Sequence, residues 1–250
     1  MCGVASGMFL TGQMTQYAIV IEDLSFPAQP WQCWLLVVAF CAGGVVLNTI
    51  GARYLALMEI VVMALFVVGY IANVVVFWAM SDHDPASKVF GTFQNGGGWS
   101  NLGFAILTSQ TPALYLLIGS DGAAHMAEET QDASINVTRG IIGRYLIGAE
   151  SGLLMLITFC FCYTDEALNS DVYGATGFAF MAVYRTTTGS SGGAAAMVAV
   201  IIVLTFFSAT NFMASASRQT YAFARDGGMP FSRWLCKVTC QSQLGQSNIY

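Results

Sequence analysis

The chain has 250 residues, of which 56% are hydrophobic and only 9% charged, and its formal net charge is −5. A soluble globular domain carries roughly 25% charged side chains, so this composition excludes water as the solvent for most of the surface. Nine Lys and Arg residues are too few for a basic stripe, which argues against nucleic-acid binding.

Six apolar runs follow one another along the chain, at 4–21, 34–50, 55–80, 102–126, 141–163 and 192–215. A bilayer crossing needs about 20 apolar residues, and runs that are hydrophobic on every helical face suit lipid rather than a soluble core. The expected fold class is an all-α membrane protein with about six transmembrane helices. The third and fifth runs are the strongest. The first carries Gln13, Thr15 and Gln16, and the second is short.

Alternating crossings put the connections 22–32, 81–100 and 165–191 on one side, and 51–54, 127–140 and the tail from Ala216 on the other. Arg53, Arg139, Arg144, Arg218, Arg225, Arg233 and Lys237 fall on the second side, whereas Lys88 and Arg185 fall on the first. That asymmetry marks the second side as cytoplasmic. The short apolar patch 178–184 cannot span and is expected to lie at the membrane surface. Asn136-Val137-Thr138 fits a glycosylation sequon, but this topology puts it in the cytoplasm, unmodified.

The fourth run holds the most unusual chemistry. Gly119 and Gly122 flank Ser120 and Asp121 about two thirds of the way along it. Gly costs roughly 1 kcal/mol against Ala in a helix, and an ionised Asp about 2.5–3.5 kcal/mol at the centre of a membrane helix. Both costs are tolerable where the helix unwinds beside water and offers free N–H and C=O groups to a solute. An Asp121 near the cytoplasmic end and simply solvated fits the residues equally well. Glu150, nine residues into the fifth run, lies roughly 13 Å deep. Burial favours the protonated form of a lone carboxylate, which suits proton carriage. The residues favour a neutral Glu150 hydrogen-bonded towards a neighbouring helix.

Metal and catalytic readings are weak. His125 with Glu128 and Glu129 resembles half of a zinc-hydrolase motif, but His83 is placed on the opposite side and three protein ligands are the usual minimum. Cys33, Cys41, Cys160 and Cys162 lie in or beside apolar runs as small hydrophobes, and Cys236 and Cys240 have no His nearby. Neither an enzyme, a metal nor a cofactor is expected.

Two segments carry a resemblance. Gly119-Ser120-Asp121-Gly122-Ala123-Ala124-His125-Met126-Ala127-Glu128-Glu129 resembles the sixth-helix signature of fungal amino-acid permeases, in the branch that transports GABA, choline and polyamine-like amines. Arg218-Gln219-Thr220-Tyr221-Ala222-Phe223-Ala224-Arg225-Asp226-Gly227-Gly228-Met229-Pro230 resembles the end of their eighth helix. The resemblance, to the amino acid–polyamine–organocation (APC) superfamily, runs from about residue 2 to 235. It implies that the six runs are helices three to eight of a twelve-helix carrier with two inverted five-helix repeats, truncated at both ends, and that 236–250 is a divergent tail.

It further implies that Tyr115, Leu116, Ile118, Gly119, Ser120 and Asp121 line a substrate pocket, with Glu150 and Asp121 as candidates for proton coupling. Glu150 stands where the family is expected to carry an uncharged residue. The implied function is transport of an amino acid or small amine by alternating access, in the plasma membrane ahead of the vacuolar one. The implied partners are that solute and the lipid bilayer. The alternative is a non-transporting fragment, inert or associated with intact permeases.

Overall fold

The computed structural model describes residues 2–92, 98–115, 119, 122, 124, 127 and 131–235. Among the described residues every regular element is helical. In order these are α1 (Cys2–Glu22), α2 (Pro30–Thr49), a 3-10 turn (Ala52–Tyr54), α3 (Leu55–Met80), α4 (Ala86–Gly91), α5 (Leu102–Tyr115), α6 (Ala133–Cys162), α7 (Asp165–Leu168), α8 (Asp171–Thr176), α9 (Ala179–Thr188), α10 (Ser191–Arg225) and α11 (Ser232–Leu235).

Among the described residues four helices are long and apolar enough to cross a membrane: α2, α3 from Leu57, α6 and α10. The 21 residues of α1 also have the length, about 31 Å, but its polar Thr11, Gln13, Thr15 and Gln16 leave it outside that set. Burial runs opposite to that of a soluble protein. Val68 and Met63 of α3 are 66% and 65% exposed, while Thr11, Gln16 and Thr158 are buried. Apolar side chains outward and polar ones inward is the arrangement that hydrocarbon solvent selects.

The chain divides into two compact units. The first comprises 1–18, 27–69 and 199–250. Its helices meet through small residues: a Cβ added to Gly7 of α1 would sit 2.8 Å from the Ala209 Cβ of α10. Only a residue without a side chain allows that approach, which brings two backbones into dispersion contact. Asn48 donates to the Thr210 carbonyl at 3.1 Å, and Phe40 packs on Phe206 with ring centroids 5.5 Å apart. At the turn into α2, Gln16 Nε2 donates to the Gln29 carbonyl and to Gln32 Oε1, at 2.9 and 3.2 Å. Pro30 opens α2 where its missing N–H leaves no bond unmade.

The second unit comprises 19–26 and 70–198. Here α9 packs against α6, α7 and α8, with Met181, Ala182, Val183 and Tyr184 buried. The patch 178–184 is thus a helix too short to span, as expected, and one covered by protein. The reason is a partner 111 residues away: Tyr184 donates its hydroxyl to Asn73 Oδ1 of α3 at 2.6 Å, so its polar tip has no need of water. The Tyr184 ring stacks on Phe77 at 5.1 Å and meets Phe159 edge-on at 6.0 Å. Trp78 Nε1 donates to Thr158 Oγ1 at 3.2 Å, and the Tyr70 hydroxyl to the Ser151 carbonyl at 3.0 Å, tying α3 to α6.

Candidate functional site

The break expected within the fourth run can be followed in the backbone. Asn101 starts α5 by accepting the Phe104 N–H on its Oδ1 at 2.9 Å, which satisfies one of the amides orphaned at a helix start. The helix is described as far as Tyr115. Gly119 then adopts φ +87°, a value a right-handed helix excludes and glycine reaches without strain. The Gly122 N–H donates to the Gly119 carbonyl at 3.1 Å, closing a turn. A Cβ on Gly122 would lie 3.2 Å from that same oxygen. Among the described residues the next α-helix is α6, from Ala133.

Of the residues expected to line a pocket, Gly119 therefore sits at the turn and Tyr115 is the last described residue of α5. The Tyr115 side chain and residues Leu116, Ile118, Ser120 and Asp121 lie outside the described residues, as do His125, Glu128 and Glu129. Among the described residues no three His, Cys, Asp or Glu side chains gather at metal-binding spacing.

Glu150 lies twelve residues before the end of α6, about 18 Å along its axis and so near the middle of a hydrocarbon core roughly 30 Å thick. It is exposed on this chain, and the ion pairs among the described residues are Lys88–Asp84, Lys88–Asp165 and Arg225–Asp226. The hydrogen-bonded Glu150 favoured from sequence is thus not what the structure has. The Tyr70 hydroxyl of α3 that reaches this stretch of α6 donates to the Ser151 carbonyl instead.

At the far end of α6, Lys88 bridges Asp84 at 2.9 Å and Asp165 at 3.1 Å, and the two carboxylates hold its ammonium above the ordinary lysine pKa. The Asp84 N–H also donates to the Phe161 carbonyl at 2.9 Å, which fixes α4 to the α6–α7 junction. A cavity of about 280 Å³ is lined by Phe159, Cys160, Tyr163, Ala179, Phe180 and Val183. Its walls are almost wholly apolar, so it lacks the convergent polar groups that would orient a zwitterion.

Sequence reasoning missed the Tyr184–Asn73 pair. Asn73 is the one amide in the long apolar run 55–80, deeper in it than Glu59, and that was the available signal.

The profile of the amino acid permease family matches residues 1–247. The chain belongs to the amino acid permease family. That places this permease chain in the APC superfamily and makes it an integral membrane protein of a transporter family, not an enzyme. An uncharacterized amino-acid permease of Schizosaccharomyces pombe is 28% identical over 92% of this chain and 41% of its own length. An amino-acid permease of Arabidopsis thaliana is 30% identical over 58% of this chain and 29% of its own. The GABA-specific permease of Saccharomyces cerevisiae is 26% identical over 64% of this chain and 28% of its own. The permease chain thus spans about two fifths or less of the length of these curated relatives. No solved structure matches it.

Proposed function

We propose that this permease chain is part of a secondary carrier that moves an amino acid or a related small amine (GABA, choline or a polyamine-like solute) by alternating access coupled to protons. The observation that carries the reading is the positive φ of Gly119 inside a run otherwise suited to crossing a bilayer. A backbone broken at membrane depth survives only where protein or water satisfies its freed groups, and a polar solute can take the place of that water.

In this reading Tyr115, Leu116, Ile118, Gly119, Ser120 and Asp121 line the solute pocket. The Ser120 hydroxyl and freed amides suit a carboxylate, and the Asp121 carboxylate suits an ammonium. Glu150 and Asp121 are the candidates for carrying the coupled proton, because each is an ionisable group within a membrane-crossing run. Residues 1–235 form the permease unit and 236–250 a divergent tail. The plasma membrane is the proposed location. The similarity to a GABA-specific permease supports a small amino-acid substrate.

A second reading is that the chain does not itself transport but is inert or associates with intact permeases. One experiment separates them. Labelled GABA, choline and amino acids are offered to cells that lack their own permeases and express this chain, alone or beside an intact permease. The first reading expects saturable uptake from the chain alone, abolished by collapsing the proton gradient. Uptake changed only in the presence of the intact permease favours the second.

A further inference from the structure

The Arg144 side chain takes an unusual course. A helical Cβ tilts towards the helix N-terminus, and an arginine near the end of a membrane span normally extends its head towards the adjacent water. For α6 both tendencies point the same way, because its N-terminal end is the one the basic residues assign to the cytoplasm. Arg144 nevertheless runs the other way. Its guanidinium lies over Gly148, one turn further into the span, where any Cβ would overlap it.

Counting 20 residues back from Cys162 sets the inner edge of the hydrocarbon near residue 143. On that count the guanidinium, on a side chain exposed on this chain, falls on the hydrocarbon side of the edge. Arg144 has no partner in any ion pair among the described residues. Glu150 does not supply one, because positions 148 and 150 are about 200° apart around the helix. A delocalised cation held at that depth selects a planar anion, and a carboxylate fits the guanidinium fork with two parallel hydrogen bonds.

We propose that Arg144, seated on Gly148, forms a carboxylate-binding subsite on the cytoplasmic half of α6. Its ligand is the carboxylate of an amino-acid solute on its way to or from the cytoplasm, so the proposal rests on the transport reading above. Gly148 has a defined part in it: the missing side chain is the seat of the guanidinium. An anionic lipid headgroup offers related chemistry from another source, and the test separates the two.

The full 250-residue chain is placed in nanodiscs of neutral phosphatidylcholine, and binding of labelled GABA is compared with that of n-propylamine, which lacks the carboxylate. Arg144→Gln is expected to weaken GABA binding about tenfold and leave propylamine within about twofold. Gly148→Ala is expected to reproduce the loss by displacing the guanidinium, while Arg144→Lys, which keeps the charge, retains part of the binding and controls for folding. Equal effects of Arg144→Gln on both solutes, or none on either, overturn the subsite. So does a GABA preference that appears only when phosphatidylserine is added, which assigns Arg144 to lipid. A wild-type chain that binds neither solute contradicts the transport reading and removes the subsite with it.

Discussion

The two compact units use different means. In the first, α1 and α10 approach closely where a side chain is missing, at Gly7 against Ala209, beside one ring contact of Phe40 on Phe206. In the second, large rings converge: Tyr184, Phe77 and Phe159 lie within 6.0 Å centroid to centroid, and a 2.6 Å hydrogen bond to Asn73 closes the cluster. Helices of membrane length already have their backbone bonds satisfied and gain mainly by close approach. The ten residues of α9 are too few to span, so α9 depends on a buried anchor.

Breaking the anchor should have the largest effect. Tyr184→Ala is expected to cost about 3–5 kcal/mol, read as a lowered unfolding midpoint in detergent. Survival of the wild-type midpoint would show that the ring cluster does not hold α9. Gly7→Leu tests the other principle. Overpacking of this kind costs about 1–3 kcal/mol, and size-exclusion profiles of the purified chain should broaden, whereas Gly7→Ala should do less. An unchanged profile for the leucine variant would mean the α1–α10 approach is not needed.

The smallest expected effect is one of pH. Burial pushes the Tyr184 phenol above its ordinary value, so the folded chain keeps a proton that the unfolded chain releases. The stabilisation is complete below the ordinary tyrosine pKa of about 10 and is lost as pH rises beyond it. Wild type should therefore lose stability between about pH 10 and 11 more steeply than Tyr184→Phe. Parallel profiles would place the phenol in contact with water.

Legibility in sequence followed the range of the physics. Hydropathy depends only on local composition, so α2, α3, α6 and α10 could be read directly as crossings. The break near Gly119 was legible because glycine spacing is also local, and the observed φ of +87° lies where the Gly-Ser-Asp-Gly run pointed. The burial of α9 was not legible, since it depends on Asn73 in a distant helix. Nor was the exposed Glu150, because a sequence shows how deep a residue lies but not which way it faces. Arg144 was counted only as one of seven cytoplasmic-side charges, although its side chain turns inward.

Transport by this route requires that the chain open to a polar solute around Gly119–Gly122. The most direct measurement introduces Ser120→Cys into a version of the chain free of its native cysteines and follows reaction with a small, charged thiosulfonate in proteoliposomes. Rapid labelling that a transported amino acid slows is the expected result. A Ser120→Cys thiol that stays unreactive with or without amino acid, while one placed at Arg218 labels freely, would contradict it.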